Sequence, residues 1–272
     1  MRDVASFDIV ERGAGEPLVL IPGIQGRWEY SRGLVDALAR SYRVITFSLA
    51  DERAVSGDAR ASIDAFAEQV EAALDRLQLR RAIVVGVSFG GLVALRFAAT
   101  RPERTRVLVM ISAPGPRWHL RPRHEAYARI PWLFGPIFLL ETPFRLRREV
   151  AAALPTWPNR LRYLRDQLLT MLGAPVSLAR MAARALIIGR YDRIADCARV
   201  TAPTLIVQGD DALDHVTGSG GTADYATLIA HAAHARMPRT GHLGSVTRPD
   251  ECADIVHRFV ADATKDTQHS AA

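Results

Sequence analysis

The chain has 272 residues, of which 49% are hydrophobic and 24% charged, an ordinary globular usage and enough chain to bury a core without staples. Its two cysteines, Cys197 and Cys252, form no disulfide framework and stand in no C-x-x-C or Cys/His spacing, so a stapled secreted scaffold and a zinc site are both excluded as expectations. The net charge of +6 rests almost wholly on arginine, with Lys265 the single lysine, and no nucleic-acid motif or interleaved stacking aromatics accompany it, so nucleic acid is not an expected partner.

The N-terminal stretch Met1 to Asp8 lacks the apolar segment of a secretory signal, and a cytoplasmic location is the expectation. Leu18 to Ile21 is a short apolar run that ends in Pro22-Gly23 and reads as a strand. A helical pattern follows around Leu34, Val35, Leu38 and Ala39, then a strand from Tyr42 to Phe47. Ser62 precedes apolar residues at Ile63, Phe66, Val70, Leu74 and Leu77, the spacing of one helical face. Ala82 to Val87 is a wholly apolar strand, Leu92 to Ala99 a helix and Arg106 to Ile111 another strand. Wholly apolar strands alternating with helices predict a mostly parallel central sheet covered by helices on both faces, an α/β fold.

Ser112 to Pro116 interrupts that rhythm. From there to Val200 the chain is rich in proline, arginine and tryptophan, with helical patches and no clear strand; Ala185 to Ile188 reads as a strand or as part of a helix. The longest apolar patch, Ile130 to Leu140, is broken by Pro131, Gly135 and Pro136, and no run of about 18 apolar residues exists to span a membrane. The alternation resumes with a strand at Thr204 to Val207 and a last strand around Arg236-Met237, and Pro249 opens a final helix. The expected organisation is a core from residues 1–114 and 201–262, a helical insertion from 115–200, and a polar, disordered tail from 263–272.

Gly86-Val87-Ser88-Phe89-Gly90 matches G-x-S-x-G between a predicted strand and a predicted helix, the context of a nucleophile elbow. Only small residues fit two positions either side of a serine in so tight a turn, and the following helix points its N-terminus at the reacting oxygen. Gly241-His242 lies beyond the last predicted strand. A serine hydroxyl needs a base, and imidazole titrates near working pH.

With this motif the chain resembles the α/β-hydrolase family, in its serine-hydrolase branch with a helical cap, and the resemblance covers nearly the whole length. It implies Ser88 as nucleophile and His242 as base, with His215 the rival histidine. It implies an oxyanion hole in the loop Leu20 to Gly26, where Ile24 supplies one backbone N–H and Phe89 the other; Pro22 departs from the family's usual histidine there. The acid belongs after the strand at Thr204 to Val207, yet the usual family position is Ala212. Asp214 is the expected acid, by a two-residue lengthening of the loop, and Asp211 is the runner-up. In the cap, Trp132, Phe134, Phe138, Leu139 and Leu140 are candidates for an apolar pocket wall.

The implied activity is hydrolysis of a small, largely apolar carboxylic ester through an acyl-enzyme, without cofactor or metal. Acyl transfer, lactone opening and carbon–carbon bond hydrolysis suit the same residues, and a ligand-binding protein on the same fold is the alternative of another class. Exposed apolar cap surface leaves a homodimer open.

Overall fold

Strands that are apolar at every position need a core on each side, and this sheet has two. The computed structural model describes residues 7–50, 62–217 and 221–269. Seven strands run in the order β1-β3-β2-β4-β5-β6-β7: β1 (Ile9–Arg12), β2 (Glu16–Ile21), β3 (Tyr42–Phe47), β4 (Ala82–Val87), β5 (Thr105–Ile111), β6 (Thr204–Gln208) and β7 (Ala232–Arg236). β1 is antiparallel to β3 and every other pairing is parallel. Side chains alternate across the sheet. Val19, Ile21, Val84, Leu108, Met110 and Ile206 therefore enter one core, while Leu18, Leu20, Val85, Val109 and Val207 enter the other.

Helices α1 (Arg32–Leu38), α2 (Ile63–Arg76) and α3 (Phe89–Thr100) follow the early strands. α2 and α3 cover the first face with Phe66, Val70, Leu92 and Phe97. α1 and the C-terminal α11 (Pro249–His269) cover the second, with Leu34, Leu38, Val256 and Val260. α3 is buried almost all round, because it sits between the sheet and its neighbours. Full burial of each such aliphatic side chain contributes about 1.5–3 kcal/mol.

Between β5 and β6 lie five helices: α4 (Pro122–Arg129), α5 (Pro131–Ala153), α6 (Trp157–Gly173), α7 (Leu178–Arg190) and α8 (Arg193–Cys197). Two short helices, α9 (Tyr225–Leu228) and α10 (Gly244–Thr247), flank β7. Ala185 to Ile188 lies inside α7, where Ile187 and Ile188 face the first core.

One strand lies outside the expected elements, and two expectations need correcting. The edge strand β1 was not anticipated from the sequence: four residues with two exposed carry little pattern. The last strand lies at Ala232–Arg236, ahead of the Arg236-Met237 centre expected, since its alanines and His234 give a weak apolar signal. α11 continues through the expected tail as far as His269, past 262. Among the described residues no single helix is long and apolar enough to cross a membrane.

Candidate active site

β4 ends at Val87 and α3 begins at Phe89, leaving Ser88 alone to reverse the chain. It does so at φ 54° and ψ −116°, a backbone that costs a non-glycine residue about 1–3 kcal/mol. The turn closes because glycines stand on both sides. A Cβ at Gly86 would lie 2.1 Å from the Gly90 carbonyl oxygen, and one at Gly90 would lie 2.3 Å from that of Ile21. The Ser88 N–H donates to the Ile111 carbonyl at 2.8 Å, which ties the elbow to β5. The hydroxyl thus stands at the sheet edge, at the partially positive N-terminus of α3.

His242 arrives on the loop after β7. Its Nε2 lies 2.9 Å from Ser88 Oγ, 154 residues away in sequence. On the other side of the ring, Nδ1 lies 3.4 Å from Asp214 Oδ2, within ion-pair range. The tautomer with a proton on Nδ1 directs that proton at Asp214 and leaves Nε2 to accept from the serine hydroxyl.

The position of Asp214 has a local explanation. The N–H groups of Leu213 and Asp214 both donate to the Asp210 carbonyl, at 2.9 and 3.1 Å. Residues 210–214 thus close into one turn, which leaves Asp214 buried beside His242. Its Oδ1 accepts the N–H groups of Val216 and Thr217, each at 2.8 Å, and its Oδ2 accepts the Thr217 hydroxyl at 2.5 Å. Burial pushes this carboxyl up, but His242 and the Thr217 donors outweigh it and hold the group well below the usual carboxylate range. Asp211 is exposed and takes the side-chain amide of Gln208 instead. His215 meets the insertion through its carbonyl, which accepts Arg145 Nη2 at 3.2 Å.

The loop after β2 lies against the elbow: a Cβ at Gly23 would sit 3.6 Å from Ser88 Cβ. Ile24 packs partly buried on the first core, and Phe89 is fully buried edge-on against Phe66 at 5.3 Å. Among the described residues no three His, Cys, Asp or Glu side chains are grouped to hold a metal ion.

The insertion does not supply the apolar wall expected of it. Trp132 is 79% exposed and Leu140 74% exposed, and Leu139 also faces outward. Phe134 stacks on Tyr127 at 5.0 Å, and Phe138 meets His124 edge-on at 6.4 Å. The cleft that does open there, of about 630 Å³, is basic: Arg121, Arg123, Arg145 and Arg147 line it with His124 and His215, against the single carboxylate of Glu141.

Two functional candidates escaped the sequence. Glu149 in α5 is fully buried, and its Oε1 accepts the Gly241 N–H at 2.8 Å and the N–H of Leu243. Arg184 in α7 is 1% exposed and donates Nη1 to the Ile24 carbonyl at 3.0 Å. In sequence Glu149 follows two arginines and Arg184 sits among alanines, both reading as solvated helix positions.

A family model described as the alpha/beta hydrolase fold matches residues 16–249. The chain belongs to the α/β-hydrolase family. Its relatives agree. The hydrolase is 27% identical to a 2-hydroxymuconate semialdehyde hydrolase from Pseudomonas sp., over 93% of this chain and 89% of that protein. It is 28% identical to a pimeloyl-[acyl-carrier protein] methyl ester esterase from Nitrosomonas europaea, over 91% of this chain and 97% of that one. It also matches a polyketide synthase from Burkholderia thailandensis at 27% identity over 96% of this chain, but spans only 12% of that protein's length. Among solved structures, a thermophilic esterase from Thermogutta terrifontis superimposes with a TM-score of 0.75 at 20% identity, covering 94% of the hydrolase and 93% of the esterase.

Proposed function

We propose that the hydrolase cleaves a carboxylic ester, or a related acyl bond, of a small molecule through an acyl-enzyme on Ser88. The observation that carries this reading is the 2.9 Å contact between Ser88 Oγ and His242 Nε2 on a strained elbow, with Asp214 behind the imidazole.

In the proposed course, His242 takes the Ser88 proton as Oγ attacks the acyl carbon. The N–H groups of Ile24 and Phe89 hold the oxyanion, a stabilisation worth about 3–4 kcal/mol per donor. The C–O bond to the alcohol breaks, and His242 Nε2–H protonates the leaving oxygen. A water, deprotonated by the same nitrogen, then attacks the acyl carbon, and Ser88 leaves with its proton restored. Asp214 holds the ring in the required tautomer and stabilises the imidazolium. Residues 115 to 200 act as a cap over this site. The names of the relatives, a methyl ester esterase and a semialdehyde hydrolase, fit acyl chemistry of this kind.

A second reading of the substrate is favoured by the basic cleft beside His215. A net excess of arginine over carboxylate there suits an ester carrying an anionic group better than a neutral apolar one.

The test is labelling with a fluorophosphonate, together with acid release from ethyl hexanoate and from the monoethyl ester of adipic acid. Stoichiometric labelling and turnover, both lost in Ser88→Ala with the fold intact, are expected. A well-folded wild type that neither labels nor turns over would sink the hydrolase reading in favour of a ligand-binding protein. Preference for the adipate half-ester, weakened by salt, would select the anionic substrate.

A further inference from the structure

Glu149 is a carboxylate with 0% exposure, and it comes from the insertion rather than from the sheet. A carboxylate is buried only where it is satisfied. Here one oxygen, Oε1, takes the N–H groups of Gly241 and Leu243, the residues on either side of His242. Two donors flanking one residue and converging on one atom fix the curvature of the loop. They thereby fix the direction in which the His242 side chain leaves it. The other oxygen, Oε2, is buried and has no hydrogen-bond partner among the described residues. The titratable groups that face this carboxylate are His242 and Asp214 from the core loops and Tyr163 from α6. Burial and the Asp214 charge raise the Glu149 carboxyl, against the lowering by the two backbone donors and His242.

The opposite charge does matching work at the other loop. Arg184 reaches from α7 to the carbonyl of Ile24, lies over the Phe66 ring at 5.9 Å, and packs so tightly on Gly26 that a Cβ there would meet Nη1 at 2.3 Å. The insertion therefore grips both loops beside Ser88 through fully buried, charged side chains.

We infer that Glu149 is a positioning residue, through which the inserted helix α5 holds the His242 loop in register with Ser88. The inference rests on the ester-hydrolase reading above. It makes the insertion part of the apparatus that sets the base, beyond any part it has in choosing substrate.

The experiment compares wild type, Glu149→Leu and Glu149→Gln for kcat and KM on one p-nitrophenyl ester, with folding checked by circular dichroism. Leucine keeps the bulk and removes the acceptor. Its kcat is expected to fall about 100-fold, the effect of a misplacement of about 1 Å, with little change in KM. Glutamine keeps an oxygen that accepts both N–H groups, so it recovers most of that loss. A folded Glu149→Leu with wild-type kcat overturns the inference, as does a folded Glu149→Gln no more active than Glu149→Leu. If Glu149→Leu does not fold, the glutamine variant decides: kcat within a few-fold of wild type is expected, and a loss of about 100-fold overturns the inference. Turnover that survives Ser88→Ala brings down the hydrolase reading itself; an essential Ser88 beside a silent Glu149→Leu brings down only this inference.

Discussion

The sheet with its flanking helices and the inserted helices α4 to α6 are held by different means. In the sheet, all four residues of Leu18 to Ile21 are 0% exposed, and β4 is buried along its whole length. In the insertion, α4 and α6 bury no residue, and the 23 residues of α5 bury only Gly135, Glu149 and Ala153. Full apolar burial contributes little to fixing α5 and α6 in place. Directed bonds hold them: Glu149 to the His242 loop and Arg145 to the His215 carbonyl from α5, and the Tyr30 hydroxyl to the Ala174 carbonyl at 3.2 Å just past α6. Apolar burial is non-directional and supplies stability. A buried charged hydrogen bond adds less net stability but defines geometry closely. The two regions thus divide the work, the sheet providing stability and the insertion placement.

The sharpest way to probe this division is at the core loops the insertion touches. On the proposed mechanism, Asp214→Asn leaves the shape of the site but not its charge, and kcat should fall about 10⁴-fold, the loss expected when a Ser-His-Asp triad loses its carboxylate. Asp211→Asn, exposed and bound to Gln208, should leave kcat within a few-fold. Steady-state kinetics of the two variants decides, and the reverse order would move the acid to Asp211. Next in size is stability. Phe97→Ala empties space between α3 and the sheet and should cost about 3–5 kcal/mol in urea unfolding. Leu140→Ser, on a residue 74% exposed in α5, should change stability by no more than about 0.5 kcal/mol. Equal costs would erase the contrast between the regions. The smallest effect is in acid. Because the folded Asp214 carboxyl is held below its unfolded value of about 3.9, its contribution is complete above that pH and is lost as the pH drops toward the folded value. The melting temperature of wild type should therefore fall more steeply below about pH 4 than that of Asp214→Asn.

How legible each region is from sequence follows the same division. Strands such as Ala82 to Val87 announce themselves because burial on both faces demands an apolar residue at every position. The elbow is legible because its turn admits only glycine at 86 and 90, a demand of sterics that leaves a fixed spacing. The order of the motifs pointed to Asp214 beside His242, though not to the turn at Asp210 that carries it there. β1 and β7 were missed or shifted because edge strands with exposed residues need no such pattern. In the insertion the apolar side chains suggested an interior they do not make. Trp132 and Leu140 stand in solvent, while two of the buried residues are the charged Glu149 and Arg184, whose partners are backbone groups contributed by distant loops. A backbone N–H or carbonyl is present at every position, so such a bond leaves no mark on the partner's sequence.

The two cysteines acquire a meaning from their placement. Cys197 lies in the core on one face of the sheet and Cys252 in the core on the other, both fully enclosed, and burial pushes each thiol up to about 12. A thiol kept protonated and shut away reacts only in the moments when its surroundings part. The molecule consequently carries two clocks, one on each side of the sheet. The ratio of their alkylation rates measures whether the faces open together, as one cooperative unit, or the side that the insertion adjoins breathes on its own.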